Sequence, residues 1–391
     1  MEGLVKINMS TKNTLWNYLG RVTNQRFIPE IDGFRFLAII PVVLLHLSTG
    51  LFETSTVYND VQLTEANEFR QFLAPGLVGV YVFFAISGFV LALPFARHYM
   101  LEEKKVALDG YFLRRLMRLE PPYLITLTVM FLAHWMLLKT DSPGLLFQHY
   151  IASFFYMHNI IYNHWSVINP VAWSLEIEIQ FYLLVPLVTR FFAIHNAAIR
   201  RILILILIFS SYWVQLYLPL GQWHLGTSFL TTYQFFLVGF IVADLYLSNL
   251  LNLKKYLWDI VGITAIFIIF WLEYKKGIYR YFQSPAIILA FIAAFKGKLL
   301  NVFFTNKIVS TIGGMCYITY LIHYALIHFI FRLIGKVHTR EGFIIDYFVN
   351  TVLFLPMVIA LSAVAFVLIE KPFMYRDWPN KLLVIIKRKK A

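Results

Sequence analysis

The chain has 391 residues, 59% of them hydrophobic and 18% aromatic, with only 14% charged and a mean hydropathy of +0.67. Soluble domains carry roughly a quarter of their residues as charge, so this composition excludes a water-coated globule and defines an integral membrane protein. A formal charge of +13 would suit a nucleic-acid binder, but the basic residues lie between apolar runs, so we expect no nucleic-acid partner and read the charge as membrane topology.

Residues 1–33 are polar and lack the charged start, apolar middle and small-residue cleavage site of a removed signal peptide. They are read as a cytoplasmic N-terminal segment. Ten apolar runs follow, at about 34–52, 74–95, 119–138, 174–193, 201–219, 229–247, 256–272, 283–296, 312–334 and 346–369, each predicted to cross the membrane. The eighth is short. Residues 145–162, "LLFQHYIASFFYMHNIIY", are apolar but dotted with His and Asn, which predicts an interfacial or re-entrant helix. With both termini in the cytoplasm, 25 of the 34 Lys and Arg fall on the cytoplasmic side and 8 outside, Arg35 being the last. That bias favours this orientation. The expected fold class is an all-α polytopic membrane protein, a bundle of about ten transmembrane helices over residues 34–370 followed by a basic cytoplasmic tail at 371–391. The single cysteine, Cys316, allows no intrachain disulfide.

An ionisable side chain inside a bilayer costs several kcal/mol, so each needs a partner or a job. In "EIDGFRFLAIIPVVLLHLSTG", Arg35 and His46 are eleven residues apart, which puts them on one helix face about 16 Å apart. In "GYFLRRLMRLEPPYL", Arg114 and Arg118 stack at i, i+4 while Arg115 points elsewhere. Such a pair at the cytoplasmic boundary suits bidentate grip of phosphates. In "NPVAWSLEIEIQFYLLVP", Glu176 and Glu178 lie about 200° apart and cannot face one site. Ser174, Glu178 and Tyr182 share a face, and Glu176, nearer the edge, is expected at the interface. "CYITYLIHYALI" places Tyr320 beside His323 near mid-membrane. "FVLIEKPFM" is expected to use Glu370 and Lys371 in an inward-facing ion pair, and "AISGFV", Ala85 to Val90, to let two helices approach closely. No metal-ligand spacing, nucleotide glycine loop or Gly-x-Ser-x-Gly elbow appears, so no metal site is expected.

Six pieces in this order, "DGFRFLAIIPVVLLH", "FFAISGFV", "RRLMRLEPPY", "WSLEIEIQFYLLVP", "YITYLIHYALI" and "IEKP", resemble the acyltransferase-3 family of membrane acyltransferases. They run from Asp32 to Pro372. The resemblance implies a ten-span bundle in the inner or plasma membrane. It implies transfer of an acyl group, usually acetyl, from cytoplasmic acyl-CoA to a hydroxyl of an extracytoplasmic or lipid-linked carbohydrate. It implies His46 as the catalytic histidine and Arg35, Arg114 and Arg118 at the CoA end. The family's common "WSLSVEEQFY" reads "WSLEIEIQFY" here, so Glu178 retains the first paired glutamate, Ile179 replaces the second, and Glu176 stands where serine is usual. Glu178 and His323 are expected to assist His46, with Asp32, Trp173, Ser174, Tyr320 and Glu370 in support. Acetyl-CoA or another short acyl-CoA is then a donor substrate, and no permanently bound cofactor is implied. The main rivals are a transporter or flippase with a buried polar path and a sensor or scaffold whose polar residues only lock helices.

Overall fold

The computed structural model describes residues 18–22, 27–54, 58, 60–138, 141–217, 228–248, 254–275, 277–375 and 377–378, and among these it contains helices and no strand. Helix α1 (Pro29–Glu53) is mostly apolar and buries Phe34, Ala38, Ile39, Val42, Val43, Leu47 and Leu51 on several sides, with Asp32 buried among them. A helix buried on several sides belongs in the middle of a bundle, and α1 is ringed by neighbours introduced below. Helix α2 (Asp60–Leu73) runs through a 3₁₀ turn into α3 (Val78–Leu101), making one stretch from Asp60 to Leu101. Its first part is too polar to have shown in an apolar-run reading. Helix α4 (Leu108–Leu132) continues to Leu138.

Between α4 and the next span the chain makes two short helices, α5 (Pro143–Phe154) and α6 (His158–Tyr162). Tyr150 packs on Phe131 with ring centroids 4.9 Å apart and meets the Thr128 hydroxyl at 3.0 Å. Tyr123 donates to the Ser153 carbonyl at 2.8 Å, and Tyr156 to Glu120 at 3.0 Å. As the hairpin number rises its α4 partner falls, so α5 runs back along α4 almost to the level of Arg118. The segment expected to be interfacial or re-entrant folds back along α4.

Helix α7 (Trp173–Val188) follows, then α8 (Ala197–Tyr217), α9 (Phe229–Ser248), α10 (Lys255–Lys275), and the pair α11 (Gln283–Lys296) and α12 (Leu299–Thr305), bent by 84°. Asp259 caps the start of α12 by accepting from the backbone N–H groups of Lys298, Leu299 and Leu300 at 3.0–3.1 Å. That break explains why the eighth apolar run is short. The chain closes with α13 (Lys307–Gly314), α14 (Cys316–Leu333) and α15 (Phe343–Ala365). Nine helical stretches among the described residues are long and apolar enough to span a membrane, ten with the bent pair. The molecule is a multi-pass membrane protein.

Helix α1 packs on α3, α12, α13 and α14, and α3 packs most closely on α9. Where lipid surrounds the helices, close backbone approach takes over from the hydrophobic effect as the packing force. Gly88 and Gly239 provide that approach: a Cβ on Gly88 would lie 2.1 Å from the Phe236 carbonyl oxygen, and one on Gly239 2.2 Å from the Phe89 nitrogen. The patch expected to admit a neighbour does so, and the neighbour is α9. Replacing Gly239 with Val should therefore destabilise the bundle by up to about 3 kcal/mol, because overpacking against backbone outweighs the gain of roughly 0.3–0.5 kcal/mol in helix propensity. Thermal unfolding of the detergent-solubilised variant measures this, and an unchanged midpoint would contradict it.

Candidate active site

A cavity opens between α1, α3, α4, α7 and α14, at the end of the bundle where α1 begins. Four arginines line it: Arg21, Arg35, Arg115 and Arg118. Two carboxylates also reach it, Glu178 and Glu370, and a third, Asp32, lies just behind its wall. The space is about 110 Å³, room for the end of a slender chain but not for a nucleotide.

Asp32 is buried and organises the α1 side of the cavity. One of its oxygens accepts from Arg35, one turn along the helix, and from Arg21 at 2.7 Å. Burial works against the charge of Arg21, yet Asp32, Cys316 and Glu370 together outweigh it and raise the guanidinium pKa. Four guanidiniums thus converge on three carboxylates. The Nε atoms of Arg21 and Arg118 are buried without a hydrogen-bond partner. Like charge is thus crowded here, with donors left unused.

The α4 contribution differs from the expected pair. Arg115 joins Arg118 at the cavity, whereas Arg114 is exposed and outside it. The buried Tyr111 and Pro122 fix the inward direction of α4. Arg115 lies about 30° from that direction and Arg114 about 70° on the other side. Periodicity correctly stacked Arg114 above Arg118, but the bundle is entered from the other flank of Arg118.

From α7, Ser174, Glu178 and Tyr182 line the cavity together, as their shared face predicted. Glu178 accepts from the hydroxyls of Ser87 and Tyr182 through one oxygen. Glu176, expected at the interface, is instead buried and accepts from the Asn159 N–H at 3.0 Å, tying α7 to the α5–α6 hairpin. The reason is that hairpin: it covers a face of α7 that a plain span would show to headgroups. Trp173 is half-buried, packs on Trp165 with centroids 5.7 Å apart, and does not line the cavity. Glu370 is buried, lines the cavity and accepts from the Ile318 N–H at 3.1 Å, whereas Lys371 donates to the Tyr18 carbonyl. The expected Glu370–Lys371 ion pair is therefore absent; consecutive side chains on the closing turn diverge to different neighbours.

At its far end the cavity stops at Tyr320. That hydroxyl accepts from Ser174 at 2.8 Å and donates to the Val171 carbonyl at 2.8 Å. Behind it a file of rings leads through α14 and α1. Tyr320 and His323 centroids are 5.7 Å apart, His323 and His46 5.1 Å, His46 and Tyr324 5.2 Å, and Tyr324 and His328 4.3 Å. His328 meets Glu53 at 3.3 Å, at the opposite end of α1. The Nδ1 of His323 lies 2.8 Å from the Tyr320 carbonyl and 3.1 Å from that of Thr319. A carbonyl only accepts, so Nδ1 carries the proton and Nε2 holds a lone pair. That Nε2 and the Nδ1 of His46 are both buried without a hydrogen-bond partner. Arg35, Arg118, Glu178 and Tyr320 thus share one cavity, while His46 and His323 form a pair one ring beyond it.

Arg21, Arg115 and Ser87 were not among the residues singled out by sequence. Arg115 was discarded on helical phase, Ser87 was read only as part of a small-residue patch, and Arg21 sits in a polar segment with no periodicity to read.

A bundle whose core holds an arginine-lined cavity backed by a histidine pair defines a multi-pass membrane protein built around a polar centre. The chain belongs to the acyltransferase-3 family, whose acyltransferase domain matches residues 28–369. Among proteins of known name it is 28% identical over 355 residues to O-acetyltransferase OatA of Staphylococcus aureus, in strains NCTC 8325, COL and MRSA252 alike. The match covers 82% of this chain and 54% of OatA, so the chain spans about half the length of these relatives. No solved structure matches it.

Proposed function

We propose that the protein is a membrane O-acyltransferase that moves an acyl group, acetyl foremost, from acyl-CoA to a hydroxyl of an extracytoplasmic or lipid-linked carbohydrate. The observation that carries this reading is the joining of a cavity rich in guanidinium groups to a histidine pair across a single tyrosine. CoA supplies three phosphate groups at one end and a thioester at the other, joined by a slender arm. Arg35, Arg115 and Arg118 hold phosphates at the cavity, the nucleotide stays at the mouth for want of room, and the arm carries the thioester toward Tyr320. This end of the bundle is the cytoplasmic one, in keeping with the excess of Lys and Arg there, and the membrane is the plasma or inner membrane.

The acceptor hydroxyl approaches from the Glu53 side. His46 takes its proton as the oxygen attacks the thioester carbonyl, and the tetrahedral adduct expels CoA thiolate, which recovers that proton from His46. The ester and free CoA are the products, and no proton is left over. His323 is a positioning residue: its Nε2 and the His46 Nδ1 both stand without a hydrogen-bond partner on adjoining rings, and a turn of the rings that joins them leaves the His46 Nε2 as the base. Tyr320 closes the cavity toward His46, so its ring must swing aside for transfer, and its bonds to Ser174 and Val171 are the latch.

The test is turnover of acetyl-CoA to free CoA by the purified protein in lipid vesicles, with and without surface glycan. Glycan-dependent release of CoA, together with loss of ester from the glycan when the gene is deleted, supports the reading. Uptake of solute without consumption of acetyl-CoA would replace it with the transporter alternative.

A further inference from the structure

The segment that precedes the family's domain reaches into the cavity. Residues 18–22 lie outside the match at 28–369, yet Arg21 lines the same space as Arg35 and Arg118. The segment is held from both sides. Leu19 and Val22 pack against the apolar cluster that includes Met315, Ile318 and Met374. The Tyr18 carbonyl accepts from Lys371, whose ammonium also lies 4.9 Å from the Tyr18 ring. With its neighbours turned to the apolar cluster, Arg21 is left facing the cavity, its methylenes 3.2 Å from where a Cβ on Gly314 would sit. The strap therefore ties the approach to α1 to the closing turn of α15, and places one guanidinium in the cavity wall between them.

Resting on the donor reading above, we propose that Arg21 is a specificity-determining residue that binds the 3′-phosphate of the ribose of acyl-CoA, so that the strap recognises the nucleotide end of the donor. Three observations place it there. Arg21 shares one Asp32 oxygen with Arg35, so it joins the arginine cluster from a segment outside α1. The cavity holds a slender arm but no nucleotide, which keeps the ribose and its phosphate at the mouth. The Arg21 Nε is buried and has no hydrogen-bond partner, so a donor remains free after the Asp32 bond is made. A phosphate dianion on that donor would also relieve the crowding of four guanidiniums on three carboxylates.

The experiment compares two donors that differ by that phosphate alone. Calorimetric titration of the full-length protein in detergent micelles with acetyl-CoA and with acetyl-dephospho-CoA needs no acceptor. The wild type should bind acetyl-CoA about tenfold more tightly than the dephospho form, the size of one charge-assisted hydrogen bond. Arg21→Ala should remove that preference, weakening acetyl-CoA about tenfold and leaving acetyl-dephospho-CoA unchanged. Arg21→Lys should retain part of it, because a point charge replaces the fork. Equal weakening of both donors would overturn the inference and make Arg21 a structural partner of Asp32; unchanged affinity for both would overturn it too. Wild-type protein that binds neither donor would bring down the acyltransferase reading and this inference with it, whereas the preceding outcomes leave that reading standing.

Discussion

Replacing His46 with glutamine is expected to slow acyl transfer by about a thousandfold, the middle of the range for loss of a general base, with acetyl-CoA affinity unchanged within about twofold. The split follows from position. His46 does not line the cavity and stands behind Tyr320 and His323, so it touches none of the groups that would hold the donor. Glutamine keeps a comparable volume and a hydrogen-bonding end, so the partly buried site suffers little, and the variant should insert and unfold like the wild type. His323→Ala should give a milder loss, about tenfold to a hundredfold, because the base survives and only its orientation is freed. Steady-state rates at saturating acetyl-CoA, paired with titration of the donor, separate rate from affinity. Transfer by His46→Gln at more than a tenth of the wild-type rate would remove His46 from the reaction.

The order of those two losses also says something about how the histidines were found. Helical phase alone put Arg35 and His46 on one face, and it put Tyr320 next to His323. Neither could say that His46 and His323 face each other, because that depends on how α1 and α14 are rotated about their own axes. The same limit explains the arginines of α4. The spacing of Arg114 and Arg118 is a fact of one helix, while the choice of Arg115 is a fact of the bundle, set by Tyr111 and Pro122 turning inward. Spans were legible because apolar length is a one-dimensional property. The eighth was legible only as short, since the cause is a cap on Asp259, far away in sequence. Glu176 was misplaced for the reverse reason. Its own helix says that it lies near an edge, but the α5–α6 hairpin covers that edge and gives it the Asn159 N–H. Arg21 had no sequence signal of any kind; its role comes from Asp32, Leu19 and Val22 acting together in space.

That distinction between phase and bundle yields the second large effect. Removing both Arg115 and Arg118 by alanine substitution should weaken acetyl-CoA binding by about a hundredfold or more. Each charge-assisted hydrogen bond to a phosphate contributes about 1.5–3 kcal/mol, the lower end applying where water reaches the site, and two are lost. Arg114→Ala, only four residues from Arg118, should leave affinity within about twofold, because an exposed charge in high dielectric is screened from the cavity. The double variant has a structural cost as well. Glu370 is buried beside Arg118 and keeps only the Ile318 N–H as a hydrogen-bond donor, so deleting the guanidinium exposes a carboxylate in a dry wall. Arg115→Gln with Arg118→Gln controls for this, since it keeps polar side chains of similar reach in the wall while removing both charges. If affinity tracks charge, the glutamine pair should be as weak as the alanine pair although its thermal midpoint recovers. If affinity recovers along with the midpoint, the arginines serve packing and not the phosphates. Should Arg114→Ala weaken binding as much as the pair, then α4 presents its other flank to the donor and the cavity described here is not where CoA sits.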